Sequence, residues 1–286
     1  MKSKFKKIIL LIAIIVLLFF LFNPGSSSHR IDIIGSTSVQ PIAEELATVY
    51  SKDNPNLLIN VQGGGSGMGI RSIQQKIADI GISSKKLYDE DNENITKLEL
   101  GYEGIVICVN HENNISNLSK QQLKDIFSGK INNWQDVGGS DCEIHVLTRE
   151  SGSGTLTSFN EIVMNGDKIK SDAITQSSTN AIEQTVANDE KAIGYVSYTT
   201  VSDSVKKLLS IDGVEISDET IANGSYALTR PYLLLIHDHE NKYVKDFLSW
   251  VFSPEGIELL KHEKIISPNE KELETNRNTI NNISVY

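Results

Sequence analysis

Cysteine is nearly absent from this 286-residue chain: Cys108 and Cys142 are the only two. A disulfide scaffold and a four-cysteine zinc site are therefore excluded. The two thiols pair only if their strands meet, and otherwise serve as small buried hydrophobes. Proline is scarce, at six residues. With 39% hydrophobic and 22% charged residues the composition is ordinary for a globular protein, which excludes wholesale disorder, collagen and coiled coil. Positive charge is in deficit, the net being −10. Lys2, Lys4, Lys6, Lys7 and Arg30 are the charged residues of the first thirty, so the remainder is more acidic still. Such a body repels nucleic-acid phosphates, and an anion it binds must be held by local dipoles. Three signatures are also missing. There is no Gly-x-x-x-x-Gly-Lys-Ser/Thr loop, no Gly-x-Gly-x-x-Gly fingerprint and no Gly-x-Ser-x-Gly elbow, which argues against ATP, NAD and ordinary serine-hydrolase chemistry.

What is present begins with the N-terminus. Four lysines precede an unbroken apolar run from Ile8 to Phe22, the basic-then-apolar order of an export signal. As a helix it would be about 22 Å long, short for a full span and long for a cleaved signal core. Phe22-Asn23-Pro24-Gly25 offers no small-x-small cleavage site, and no nearby cysteine allows a lipid anchor. The expectation is an uncleaved anchor with Gly25–Ser28 as tether, and a body outside the cytoplasm.

Along the body, strand and helix patterns alternate. Strands are expected at Arg30–Ile34, Leu57–Gln62, Ala78–Ser83, Gly104–Asn110, Glu143–Thr148, Ala192–Ser197 and Tyr232–His237. Helices are expected from Val39 to Tyr50, Met68–Ile77, Ser119 to Phe127, Thr155–Met164, Thr179–Asn188, Lys242–Phe252 and Ser253 to His262. Ser119-x-x-Gln122 reads as a capping box and Ser253-Pro254 as an N-cap followed by proline at the first helical position. Beyond Pro268 the polar, asparagine-rich chain reads as a frayed tail. The alternation implies an α/β protein with mostly parallel sheets, whose ligands sit at the carboxyl ends of strands.

Four such strand-end loops share one chemistry: Gly35-Ser36-Thr37-Ser38, Gly63-Gly64-Gly65-Ser66-Gly67, Ile82-Ser83-Ser84 and Arg149-Glu150-Ser151-Gly152-Ser153-Gly154-Thr155. Each offers hydroxyls and backbone N–H groups, and three precede a helix, whose N-terminus carries about half a positive charge. That is the chemistry of an anion site. Arg149 is the one cation among them and suits a bidentate grip on two oxygens.

Together, Gly35-Ser-Thr-Ser-Val-x-Pro41, Gly63-Gly-Gly-Ser-Gly67, Ala78-Asp-Ile-Gly-Ile-Ser-Ser84 and Arg149-x-x-Gly-Ser-Gly-Thr155 resemble, in order, the ligand loops of PstS-type phosphate-binding proteins, the extracytoplasmic receptors of phosphate ABC importers. Ile126-Phe-Ser-Gly-Lys-Ile-Asn-Asn-Trp134, Ala192-Ile-Gly-Tyr195, Tyr226-x-Leu-x-Arg-Pro231 and Phe252-Ser-Pro-Glu-Gly256 extend the likeness from about Ile31 to Pro268. The resemblance implies a two-lobed periplasmic-binding-protein fold of type II with the ligand in the interlobe cleft. Its expected divisions are 1–29 for signal or anchor and tether, 30–109 for the first part of lobe 1, 110–228 for lobe 2, 229–269 for the return to lobe 1, and 270–286 for a polar tail. It implies phosphate contacts from Thr37, Ser38, Ser66, Gly67, Ser84, Arg149, Ser153, Gly154 and Thr155. It implies no catalytic residue, no metal and no cofactor. The partners it implies are inorganic phosphate and the permease subunits of the importer, for a monomer that binds no nucleic acid.

Two departures bear on selectivity. Some members carry an aspartate at the position of Ser84, where it accepts the proton of HPO4²⁻, and an acidic residue often stands two after the arginine, at Ser151 here. Ser84 accepts through a lone pair, and Glu103, Asp79 and Glu150 are further candidate acceptors. The alternatives left open are sulfate, molybdate or tungstate as ligand, a membrane-tethered sensor without transport, and an exported phosphate-ester hydrolase with Ser153 as nucleophile. The last lacks a histidine or lysine placed by motif to activate that serine. His237-Asp238-His239 reads as a solvated loop, and Trp134 and Trp250 as core.

Overall fold

The structure is a computed structural model that describes residues 29–87, 95–202, 207–237 and 239–285. The apolar run Ile8–Phe22, its tether and Asp238 lie outside the described residues. Among those described, no helix is long and apolar enough to cross a membrane.

The chain opens with β1 (His29–Gly35), α1 (Gln40–Asp53), β2 (Leu57–Gly63), α2 (Ser66–Gln74) and β3 (Ile80–Ser83), with β2 and β3 both parallel to β1. A long strand, β4 (Thr96–Val109), leads into β5 (Asn117–Leu118), α3 (Lys120–Ser128), β6 (His145–Arg149), α4 (Gly154–Phe159), β7 (Ile174–Gln176), α5 (Thr179–Asn188), β8 (Ala192–Ser197), β9 (Lys207–Ile211) and α6 (Asp218–Ala222). The return strand β10 (Thr229–Ile236) is followed by β11 (His239–Glu240), α7 (Lys242–Val251), α8 (Pro254–His262), α9 (Glu270–Asn282) and β12 (Ser284–Val285). The main sheet runs β2-β1-β3-β10-β4-β8-β6-β7, with β9 also paired to β4. Antiparallel pairing is confined to the middle, where β10 joins β3 and β4, and where β4 joins β8 and β9.

Two cores divide the molecule. One gathers Ile31, Ile33, Leu46, Ile80, Phe247 and Leu248; the other gathers Phe127, Trp134, Val146, Phe159, Ile193 and Tyr195. Strand β4 serves both, and so does the segment made of Leu228 and β10. Leu98 and Leu100 lie in the first core, while Ile105, Ile107 and Val109 lie in the second; Leu228 lies in the second, Tyr232 and Leu234 in the first. The cores therefore change hands before Val109, the exit expected from the sequence. One uninterrupted strand carries the chain across, and no loop marks the change.

The local signals act as their chemistry requires. Ser119 and Gln122 form a reciprocal capping box and Gly129 closes α3 in the left-handed conformation. Ser253 caps α8 with Pro254 in its first turn. The helix expected over Thr155–Met164 divides into α4 and a five-residue π turn, Asn160–Met164.

The frayed polar tail is a correction. Residues 270–282 form α9, opened by a capping box between Asn269 and Glu272. Its buried residues are Leu273, Asn276 and Ile280, followed by Ile283. Each buried Leu or Ile stabilises by about 1.5–3 kcal/mol, enough to dock a helix whose other positions are polar. Asn276 hides the pattern from a hydrophobicity reading. Its amide takes the Glu99 N–H and donates to the Glu99 carbonyl, at 3.1 and 2.8 Å, which covers an otherwise open edge of β4.

Both thiols are free, Cys108 buried and Cys142 half-buried. Trp134 and Trp250 pack with the second and first cores respectively. His237 is half-buried, with its Nε2 lacking a partner among the described residues, where a solvated loop was expected. No group of three metal-capable side chains occurs among the described residues.

Candidate functional site

All four glycine-serine loops meet between the two cores. On the first lobe, the Ser36 N–H donates to the Ile82 carbonyl at 2.9 Å, and the Gly64 and Gly65 amides both donate to the Gly35 carbonyl at 2.8 and 2.9 Å. Three strand ends are thereby locked side by side. Their hydroxyls follow: Ser36 Oγ donates to Ser84 Oγ at 2.9 Å, the Ser84 amide donates to Ser66 Oγ at 3.0 Å, and the Ser66 and Ser84 oxygens stand 3.4 Å apart. Gly65 is the N-cap of α2 at φ +85°, a conformation glycine adopts without strain.

The second lobe faces this cluster directly. Ser38 Oγ is 3.0 Å from Thr155 Oγ1, Ser158 Oγ donates to the Ser84 carbonyl at 3.1 Å, and the Gly67 amide donates to the Gly152 carbonyl at 3.0 Å. Gly154 sits so close that a Cβ there would stand 2.1 Å from Ser66 Oγ and 2.6 Å from Ser84 Oγ. Ser153 Oγ accepts the Leu156 N–H at 3.3 Å and so caps α4, which leaves the amides of Gly154 and Thr155 without an acceptor among the described residues.

Arg149 is the one cation in these contacts, and only 3% exposed. Its Nε and Nη2 donate to the two Glu150 carboxylate oxygens at 2.9 and 3.0 Å, Nη2 also to Thr37 Oγ1 at 3.1 Å, and Nη1 to Thr179 Oγ1 at 3.3 Å. A guanidinium has five N–H bonds, so one remains after these four. Tyr195 supports the arginine from below: its hydroxyl accepts the Arg149 N–H at 3.1 Å and contacts Thr148 Oγ1 at 2.8 Å. Burial pushes the Tyr195 hydroxyl up to about 12, against the lowering effect of its hydrogen bonds with Thr148 and Arg149. The ring stacks on Phe159, centroids 4.2 Å apart.

The nine residues expected from the sequence thus lie in the four loops that meet here. Thr37, Ser38, Ser66, Ser84, Arg149, Gly154 and Thr155 lie in mutual contact, while Gly67 spends its amide on Gly152 and Ser153 its oxygen on a helix cap. Of the three carboxylates considered as proton acceptors, Glu150 alone stands among the loops, already paired with Arg149. Asp79 lies at the start of β3 and accepts the Asp32 amide at 2.8 Å. Glu103 is buried where β4 and β10 cross, paired with Arg230. Glu150, one residue after Arg149, pairs with it, while the position two after the arginine, where the resemblance often has an acid, is Ser151. Thr179 was missed: buried at the first turn of α5, it touches Ser38 Oγ at 3.4 Å as well as Arg149. Its signal was in the sequence, since Ser177-Ser178-Thr179 is a fifth hydroxyl-rich loop entering a helix.

Hydroxyls and helix-start amides that converge from two lobes on a charge-balanced arginine define a two-lobed binding protein for a small oxyanion. Known proteins agree. The PBP superfamily domain matches residues 23–255. The phosphate-binding protein PstS of Bacillus subtilis is 31% identical over 232 residues, 79% of this chain and 76% of that one. A phosphate ABC transporter substrate-binding protein with bound phosphate, from Clostridium perfringens, superposes with a TM-score of 0.81 at 33% identity, over 84% of this chain and 100% of that one. An ABC-type phosphate transport receptor from Vibrio cholerae gives 0.70 at 32% identity, over 83% and 100%. The chain belongs to the PBP superfamily and, within it, to the PstS family of phosphate-binding proteins.

Proposed function

We propose that this protein captures inorganic phosphate outside the cytoplasm and delivers it to the permease subunits of an ABC importer, tethered by the apolar segment Ile8–Phe22. The observation that carries the reading is the meeting of both lobes at one cluster: Ser38 with Thr155, and Arg149 with Thr37. A tetrahedral oxyanion offers acceptors on every side, and this cluster offers hydroxyl and amide donors from every side. The contacts would be made by Thr37, Ser38, Ser66, Ser84, Arg149, Gly154 and Thr155, with Gly67 and Ser153 shaping the loops and Thr179 added to the set. Each lobe supplies part of the set, so ligand contacts favour closure. The binding reading is supported at Ser153, whose oxygen accepts the Leu156 N–H and so caps α4.

A second reading, a broader oxyanion receptor, draws on one observation. The only carboxylate among the loops is already engaged by Arg149, which leaves hydroxyl lone pairs to accept a phosphate proton. Calorimetry with phosphate and with sulfate tests both readings. Binding of phosphate at micromolar or lower concentration, about −8 kcal/mol or better, with sulfate much weaker, supports the first. Equal binding of both ions supports the second. No heat from either ion on folded protein overturns both.

A further inference from the structure

The two strands that join the lobes meet at one buried ion pair. Glu103 on β4 and Arg230 on β10 are register partners, with side chains 0% and 1% exposed. Arg230 Nε donates to one Glu103 oxygen. Its two terminal nitrogens have no hydrogen-bond partner among the described residues, and its guanidinium lies 5.6 Å from the centroid of the Tyr232 ring, within cation–π reach. The other Glu103 oxygen accepts Ser197 Oγ–H and the Tyr198 N–H, both at 3.0 Å. A buried ion pair is weak grounds for stability, because desolvation offsets its attraction. This one does something more specific, since it aims its second oxygen at a hydroxyl of lobe 2.

From Ser197 the contacts continue toward the ligand loops. Ser197 Oγ is 2.6 Å from the Tyr232 hydroxyl, Thr199 Oγ1 lies 2.9 and 3.3 Å from the two, and Tyr232 OH reaches the Ser38 carbonyl at 3.3 Å. Three hydroxyl protons serve five contacts. The carboxylate draws the Ser197 proton, so the Tyr232 proton is shared between Ser197 Oγ and the Ser38 carbonyl, and Thr199 completes the set. Tyr232 is fully buried and packs in the first core with Val39, the residue after Ser38. Its ring and its hydroxyl thus hold the loop that presents Thr37 and Ser38.

We propose that Glu103, Ser197 and Tyr232 form a positioning chain that ties the angle of the interlobe crossing to the first ligand loop, so that phosphate binding senses this hinge. The proposal rests on the phosphate reading above for its ligand, while the chain itself has a readout that needs no ligand. None of the three residues touches the ion; they act through Ser38.

Four variants test it: Tyr232→Phe, Ser197→Ala, their double, and Tyr226→Phe as control. Tyr226 is an equally buried tyrosine whose hydroxyl donates to the Ile105 carbonyl at 2.8 Å inside lobe 2, with no hydrogen bond to this chain among the described residues. Loss of one hydrogen bond predicts about five- to tenfold weaker phosphate binding for Tyr232→Phe and for Ser197→Ala. The double variant is expected to be little worse than either single, since the residues act as one unit. Tyr226→Phe is expected to lower the melting temperature similarly while leaving phosphate affinity within about twofold. In phosphate-free protein, amide hydrogen exchange over residues 36–40 is expected to speed up in Tyr232→Phe and not in Tyr226→Phe. If Tyr232→Phe moves affinity no further than Tyr226→Phe, or if exchange in that loop is the same in both, the proposal is overturned. Should the wild-type protein take up no phosphate, the ligand reading fails, and the exchange comparison alone decides whether the chain positions the loop.

Discussion

Two of the arginine–carboxylate pairs have a buried arginine, and their settings differ. Arg149 and Glu150 pair through two parallel hydrogen bonds at the cleft, with the carboxylate 29% exposed. Arg230 and Glu103 pair through one nitrogen at the strand crossing, with both side chains sealed from water. Partial exposure lets water share the solvation of Glu150 when the cleft rearranges, so Arg149 is orientated without being consumed. Complete burial makes the second pair obligatory, because neither charge has another source of solvation. Burial alone pushes the Glu103 carboxyl upward from its ordinary range, while Arg230, Ser197 and the Tyr198 amide pull it down. One pair is open to water on its carboxylate side; the other is closed on both sides.

The sharpest break of that comparison is Glu103→Gln. It leaves the Arg230 charge buried without its counter-charge, and a loss of about 3–5 kcal/mol in urea unfolding is expected. Arg149→Ala is the matching change at the cleft. It leaves a carboxylate that water reaches, so the unfolding midpoint in phosphate-free buffer is expected to move less than for Glu103→Gln. Phosphate affinity measured by calorimetry is expected to fall about 100-fold or more, close to 3 kcal/mol. A stability loss in Arg149→Ala as large as in Glu103→Gln would erase the distinction. Gly154→Ala probes the contact between lobes. Its methyl would collide with Ser66 Oγ, and overpacking of about 1–3 kcal/mol is expected to weaken phosphate binding about tenfold with little change in the melting temperature of the phosphate-free protein.

A third carboxylate, Glu240, has no arginine partner among the described residues. Burial raises it to about 7, with Asp79 adding to the rise and the His237 amide opposing it. A raised carboxyl favours the folded state while it is protonated. That contribution is complete below its ordinary value near 4.5 and is lost as pH climbs through about 7. Glu240→Gln removes the ionisation. Melting temperatures of the two proteins are expected to coincide near pH 4 and to diverge with rising pH, the variant being the more stable above pH 7. Parallel curves would show that Glu240 does not titrate in this window.

Much of this architecture is legible in the sequence. Capping residues at Ser119 and Ser253, and apolar spacing such as Val244, Phe247, Leu248 and Val251 in α7, report local forces, and local forces set those elements. The four loops that meet between the lobes were legible because glycine and serine at strand ends answer a need of the backbone itself. What stayed hidden depends on partners far away in sequence. Helix α9 is held by a few apolar residues and by Asn276 bonding to Glu99, and no window of the sequence shows that pairing. Short strands β5 and β7 borrow their order from β9 and β6. The place of Glu103 could not be read either: a lone acid in an apolar strand gives no sign that Arg230, 127 positions later, will lie beside it. Thr179 was readable, since Ser177-Ser178-Thr179 brings hydroxyls to the start of α5.

The decisive observation is where the ion sits. A crystal structure grown with phosphate is expected to hold one ion between the lobes, in hydrogen-bond contact with Arg149, with the Thr37–Ser38 loop of one lobe and with the Gly154–Thr155 amides of the other. An ion bound to one lobe only, or bound elsewhere with that cluster unchanged, would contradict it.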